Sequence, residues 1–339
     1  MSALRKALLY CAGGGIGDSL VASLVARALR TRFERVDALT LPGHRETLLR
    51  VPDIDDVFVD QGEERDVVAG LAQREYDACV VTWATPRTAR VPELAKIPVR
   101  VGQARRLYSH RFTVRVPVRS ELGDVTSHWS DILLDFARAI GCDTGDRLYR
   151  FVPRPQDEAE SRDVLPEPGI ILNPCNAVAS ERGMWPVAGW VALARALIER
   201  FGLPVAVSGA PADEPVVRAI VDGANDPRVT SIAGCLGIGG FGALAARSRA
   251  FVGITTGSMH VAAAVGAPVL GIFPFQSDFP ERWAPLGPNT EIVRASYPCH
   301  KGDTKERCRD YACIAHLDVP RIIAGTQELL RRGFAAQPR

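Results

Sequence analysis

The chain has 339 residues, 47% hydrophobic and 24% charged, a length and balance that predict two globular domains and exclude collagen-like, low-complexity and disordered classes. Its net charge of +2 hides an asymmetry: between Arg87 and Arg119 nine Lys or Arg face one acid, Glu93, so this segment carries +8 and the rest −6. Such an excess points to an anionic partner. With only Tyr108 and Phe112 among its basic residues and no nucleic-acid module pattern, it argues against nucleic acid and for a phosphorylated or membrane-surface acceptor, a solvated basic face being the plain alternative.

The amino terminus, "MSALRKALLYCAGGGIGDSL", starts basic and apolar, but glycines interrupt the run and no cleavage site follows. It is read as a first strand, which leaves the eight cysteines as expected reduced thiols of a cytoplasmic protein. After "KALLYCA" come a glycine-rich loop, a helix "DSLVASLVARALRTRF", and the strands "RVDALTL", "DVFVD" and "YDACVVT". Strands alternating with helices predict βαβ units and a parallel sheet. An amphipathic helix, "SHWSDILLDFARAIG", with Trp129, Ile132, Leu133, Phe136 and Ile140 on one face, closes this half.

The proline- and acid-rich "FVPRPQDEAESRDVLPEPG" reads as the interdomain connection, giving domains 1–165 and 166–339. The pattern then restarts with "GIILNP", a helix "VAGWVALARALIERF", "LPVAVSGAP", a helix from Glu214, "RVTSIAG" and a helix around "GFGALAARS". From Ala250 to Ser277 there is no Asp, Glu, Lys or Arg, a length that could suggest a membrane span. Thr255-Thr256-Gly257-Ser258 and Gly266-Ala267-Pro268 instead cut it into a buried strand, a short helix that Ser258 can cap, and a second buried strand. The tail "DVPRIIAGTQELLRRGF" predicts a terminal helix.

Two loops can carry chemistry. "AGGGIGDS" places Gly13 and Gly15 like the start of a dinucleotide fingerprint, but Asp18 stands at the third glycine, and no Lys-Ser or Lys-Thr follows for an ATPase-type loop. Asp18 could serve as general base toward a sugar hydroxyl, or merely cap its helix. The turn before His260 offers backbone N–H groups at a helix start, a setting for phosphate. The plainer alternative makes Thr255, Thr256 and Ser258 caps and His260 a core histidine.

"NPCNAVASERGMWPVAGWVALARAL", "VSGAPADE", "IAGCLGIGGFGALAARSRAFVGITTGSMHVAAAVGAPVLGIF" and "ERWAPLGP", preceded by "GIGDSL", resemble in this order the family 9 glycosyltransferases, the bacterial heptosyltransferases. That resemblance spans essentially the whole chain. It implies an α/β GT-B fold of two Rossmann-like doubly wound domains facing a central cleft, an acceptor-side first domain and a second that binds a nucleotide sugar. It further implies inversion, no required cofactor or metal, and ADP-heptose or another nucleotide-diphosphate sugar as donor. Asp18, beside Gly17, matches the family's base. Thr256, Gly257 and His260 match its Asp-Thr-Gly-x-x-His turn, with Thr255 in place of the aspartate and Ser258 within the turn. Asp213 and Glu214 match its loop on the nucleotide side. The family's lysine falls on Gly183, with Arg182 adjacent to supply the charge, and Leu24 stands where many members have proline.

The function expected is sugar transfer, best specified as heptose from ADP-heptose to a lipopolysaccharide-core glycan or glycolipid. It would occur in the cytoplasm or peripherally on the inner face of its membrane, with Arg87, Arg105, Arg106 and Arg111 facing the anionic acceptor. Rivals are another donor, a protein acceptor, a binding protein without turnover and, on the failed fingerprint, a nicotinamide oxidoreductase. Near the end Cys299, Cys308, Cys313 and His316 cluster, with His300 nearby, but without zinc-finger spacing, so buried thiols are the expectation and a metal site the alternative.

Overall fold

A computed structural model describes residues 6–175, 184–275, 279–300 and 308–335. The chain forms two compact units, Met1–Val152 and Pro153–Arg339. In the first, the elements run β1 (Lys6–Cys11), α1 (Ile16–Leu29), β2 (Arg35–Thr40), α2 (Arg45–Leu48), β3 (Val57–Val59), α3 (Glu64–Ala72), β4 (Ala78–Val81), α4 (Pro86–Leu94), β5 (Val99–Gln103), β6 (Val114–Val116) and α5 (Trp129–Arg138). The second opens with α6 (Pro155–Val164), β7 (Ile170–Asn173), α7 (Val187–Phe201), β8 (Val205–Val207), α8 (Glu214–Ala224), β9 (Val229–Ser231) and α9 (Ile238–Arg247). It closes with β10 (Ala250–Ile254), α10 (Gly257–Ala264), β11 (Val269–Phe273), α11 (Pro280–Trp283), β12 (Thr290–Arg294), α12 (Ala312–Ala315) and α13 (Val319–Ala335).

Each unit holds a six-stranded sheet, ordered β3-β2-β1-β4-β5-β6 and β12-β11-β10-β7-β8-β9. All their pairings are parallel. Parallel strands covered on both faces must be apolar throughout, and β4, β7, β10 and β11 are buried along their whole lengths. The strand order reverses between β1 and β4 in the first sheet and between β7 and β10 in the second. Loops leaving the carboxyl ends of such neighbours diverge and open a crevice, where ligands of doubly wound sheets bind.

The expected strands and the amphipathic helix are present, and the uncharged stretch resolves into β10, α10 and β11. No helix among the described residues is long and apolar enough to cross a membrane. The "FVPRP…" connection differs from expectation, because it contains α6. Pro155 occupies the first helical turn, where its missing N–H is harmless, and the Asp157 carboxylate accepts the Arg154 N–H at 2.7 Å. The Arg247 guanidinium at the end of α9 donates to the carbonyls of Ser161, Leu165 and Pro166, which ties α6 to the second unit. The unit boundary therefore falls at Val152, ahead of the expected 165. Ser258 also differs: α10 begins at Gly257 with Thr256 as N-cap residue, so Ser258 lies inside the first turn and does not cap it.

Candidate active site

The first crevice is built from the β1–α1 loop. Gly14 has φ of +71°, and a Cβ there would run into the Asp18 carboxylate, so this turn requires glycine on both counts. Gly15, the N-cap residue, has no side chain to satisfy the helix start. Asp18, third residue of α1, reaches back so that its Oδ2 accepts the Gly15 N–H at 2.6 Å, with Gly17 in the same turn. Asp18 is thus a helix-start acceptor, and that role holds its carboxylate in one place at the sheet's carboxyl edge.

Burial raises the pKa of Asp18 from its ordinary value, outweighing the Gly15 N–H and the charge of His44, which pull it down. A carboxylate made more basic in this way is better matched to accepting a proton. His44, on the 3-10 turn after β2, is buried, and burial lowers its pKa against the opposing pull of the Asp18 charge. No motif marked His44, since only folding brings the β2 loop to the β1 loop.

Gly13 connects this loop to a cavity of about 390 Å³ at the ends of β1, β4 and β5, lined on one side by Trp83, Trp129 and Phe136. A Cβ at Gly13 would meet Cβ of Trp83 at 2.6 Å, so glycine is what lets the tryptophan close in.

In the second crevice, the hydroxyls of Thr256 and Ser258 lie 2.6 Å apart and both donate to the Asn173 Oδ1, at 3.3 and 3.1 Å. The Asn173 amide donates in turn to the Ser208 Oγ at 3.0 Å. Asn173 ends β7 and Ser208 follows β8, so a hydrogen-bonded chain crosses the point where strand order reverses. Neither residue was singled out in the sequence, because both read as ordinary strand ends. The hydroxyls leave the first N–H groups of α10 without a side-chain cap, at the positive end of the helix dipole, an arrangement that suits an anion. Thr255 donates its backbone N–H to the Ile272 carbonyl at 3.1 Å, Gly257 is half-buried, and His260 is only 5% exposed.

Asp213 accepts the Ala210 N–H at 2.7 Å on the loop after β8, and it adds to burial in raising the Cys175 pKa, which places it beside the end of β7. Glu214 pairs with Arg218 and accepts from Ser231 at 3.3 Å. Arg182 lies outside the described residues. The basic segment is largely neutralised within its own unit: Arg87 pairs with Asp60 at 2.6 Å, Arg90 with Glu64, Arg111 with Glu93, Arg106 with Glu121, and Arg119 with Asp131 and Asp135. Arg106 lines the cavity and Arg105 is exposed. The +8 of this segment, which already counts Glu93, therefore does not become a +8 surface, since Asp60, Glu64, Glu121, Asp131 and Asp135 reach it from neighbouring elements.

Among the described residues no group of three His, Cys, Asp or Glu is arranged to hold a metal. His300 pairs with Asp310 at 3.1 Å, the Cys308 sulfur accepts the Tyr311 N–H, Cys313 is buried in the core, and His316 stacks on Tyr297.

Two Rossmann-like parallel sheets, one presenting a carboxylate at its switch point and the other an uncapped helix start, define the architecture of a GT-B glycosyltransferase. The profile of glycosyltransferase family 9 (heptosyltransferase) matches residues 65–312. Lipopolysaccharide heptosyltransferase 2 of Escherichia coli K12 is 24% identical over 323 residues, 86% of this chain and 89% of that protein. Among solved structures, E. coli ADP-heptose lps heptosyltransferase II aligns at 20% identity with TM-score 0.79, covering 96% of this chain and 99% of that one. E. coli heptosyltransferase WaaC with ADP aligns at 15% identity with TM-score 0.71, covering 95% and 99%. This protein belongs to glycosyltransferase family 9 and is a glycosyltransferase, which sets aside the oxidoreductase and turnover-free readings.

Proposed function

We propose that the protein transfers heptose from ADP-heptose, with inversion, to a sugar hydroxyl of a lipopolysaccharide-core acceptor. The observation that carries this reading is the pinned Asp18 carboxylate, raised in basicity by burial, at the switch point of the first sheet. Asp18 accepts the proton of the acceptor hydroxyl as its oxygen attacks the anomeric carbon; the bond from that carbon to the diphosphate oxygen breaks, and ADP leaves. The N–H groups of α10 and the Thr256 and Ser258 hydroxyls take the charge that develops on the diphosphate, a role that needs no metal. The relative and the aligned structures, whose names specify heptose and ADP, support the choice of donor.

In this reading the first unit receives the acceptor, the second the nucleotide sugar, with Asp213, Glu214, Arg182 and His260 around it. On the same reading the reaction takes place in the cytoplasm or peripherally on the inner face of its membrane. Thr255 favours one alternative: a hydroxyl replaces the family's carboxylate in the donor turn, so a different nucleotide sugar is the second reading. A thermal-shift screen with ADP, UDP, GDP, CDP and their sugars decides between them, because a ligand that binds only the folded state raises the melting temperature. Stabilisation by ADP and ADP-heptose alone supports heptose; stabilisation by another nucleotide replaces it.

A further inference from the structure

Three exposed leucines of the first unit share one arrangement. Leu107 is 99% exposed, and Leu94 and Leu122 are half exposed or more. Each directly follows a member of an ion pair that clamps the 3-10 turn Leu107–Arg111. Arg111 pairs with Glu93 near the end of α4, and Arg106 pairs with Glu121 on the later 3-10 turn Arg119–Leu122. The turn is also fixed from within: the Ser109 hydroxyl donates to the Gln103 carbonyl at 2.6 Å, and the Arg100 guanidinium donates to the Arg111 carbonyl at 2.9 Å. Leu107 thus projects from a rigid turn and touches almost nothing. A single exposed leucine is ordinary, but three on elements tied together make a surface.

The charges around these leucines leave a surplus of one sign. The acids within 93–125 are Glu93, Glu121 and Asp124, and each pairs with an arginine, Arg111, Arg106 and Arg119. Lys96 and Arg105 are exposed and pair with no acid among the described residues; one stands two positions from Leu94, the other two from Leu107. Apolar tips beside unpaired cations complement an anionic bilayer, whose acyl boundary takes the leucines and whose headgroup phosphates take the cations. A protein partner would need a broad matching face, about 800 Å² a side, whereas side chains projecting singly from turns enter lipid without one. Nucleic acid would meet the cations and leave the leucines in water.

We infer that this face docks on an anionic lipid surface, with Leu107 entering the headgroup region deepest, Leu94 and Leu122 beside it, and Lys96 and Arg105 on the lipid phosphates. The inference rests on the proposed reading that places the reaction peripherally at a membrane. It makes a small apolar contact, and not the count of basic residues, what seats the protein there, since most of those residues are spent on internal pairs. Arg106 and Glu121 also line the cavity beside the β1–α1 loop, so docking through their neighbours brings the rim of that cavity to the bilayer.

The test is co-flotation of the full chain with two kinds of vesicle, phosphatidylcholine alone and an equimolar mixture with phosphatidylglycerol. The expected result is binding to the mixed vesicles, weaker by at least about tenfold on phosphatidylcholine alone. Leu107→Asp should weaken binding to the mixed vesicles by at least about tenfold, and Arg105→Ala by about fivefold. Leu107→Trp should keep the binding, and its emission should shift to the blue on adding vesicles by more than that of the wild type. Leu122→Asp, on the neighbouring turn, serves if Leu107→Asp melts early. No wild-type binding to the mixed vesicles, equal binding to both kinds, or binding unchanged in the folded aspartate variants overturns the docking face. A wild-type dimer that Leu107→Asp dissociates would overturn it too, by assigning the face to a second copy. Transfer from ADP-heptose to a soluble, delipidated core oligosaccharide, which Leu107→Asp should leave unchanged, separates the two claims. Transfer without vesicle binding overturns the docking face alone, and vesicle binding without transfer from any donor overturns the proposed function alone.

Discussion

The Asp18 carboxylate accepts the backbone N–H of Gly15 at 2.6 Å, and this single bond makes the proposed base also the N-terminal acceptor of α1. The helix start and the proposed base are thus one feature, so the conformation of the glycine loop sets the position of the carboxylate.

Gly14→Ala tests that coupling. A left-handed backbone at a non-glycine residue costs about 1–2 kcal/mol, and the new Cβ would also displace the Asp18 side chain. The variant should melt several degrees lower and lose most of its turnover. Gly43→Ala, where a Cβ meets nothing within 4 Å, should match the wild type in both. Equal activity of the two variants would show that the loop does not position the base.

The pH dependence follows from the raised pKa of Asp18, with opposite signs for activity and stability. Between the ordinary 3.8 and the raised folded value, the native state holds a proton that the unfolded chain has released. This stabilising contribution is present below the window and declines as pH rises through it. Transfer needs the ionised base, so kcat/KM should rise with pH through the folded value. His44 acts on Asp18 by lowering its pKa, so His44→Gln should move this acidic limb to higher pH. A limb unmoved by the substitution would remove His44 from the account.

Asn173 joins Thr256, Ser258 and Ser208 from a site only 5% exposed. Replacing it by alanine takes a partner from the buried Ser208 hydroxyl and the half-buried Thr256 and Ser258 hydroxyls, at about 1–3 kcal/mol. If the turn holds diphosphate, ADP affinity should fall about tenfold, an effect of about 1.4 kcal/mol. Thermal melts with and without ADP read both quantities; a stability loss with unchanged ADP affinity would leave Asn173 a purely structural residue.

Arg247→Ala addresses the attachment of α6. Loss of charge-assisted bonds to the carbonyls of Ser161, Leu165 and Pro166 should cost about 1.5–3 kcal/mol and speed amide exchange first in 155–164. Uniform exchange across the second unit would show that the helix is held by other contacts.

The sequence shows what is local and hides what is convergent. Continuous apolar runs revealed β1, β7, β10 and β11, and glycines beside hydroxyls marked the loops of Asp18 and Thr256, because turns need those residue types where the chain turns. Asn173, Ser208, His44 and Trp83 carry no such mark, since their places depend on which strands become neighbours. α6 escaped because it is polar and its proline resembles a breaker, although a first-turn proline favours a helix start. The basic segment misled for a related reason: a charge count along the chain cannot see Asp60, Glu64 or Glu121 folding back onto it.

Steady-state transfer by Asp18→Asn, with ADP affinity measured on the same sample, tests the central claim most directly. Asparagine can still accept the Gly15 N–H, so the fold and the nucleotide site should be kept while the base is lost. The account predicts kcat reduced by about 10²–10⁴-fold with ADP affinity unchanged. Turnover close to wild type in a folded, ADP-binding variant would contradict it.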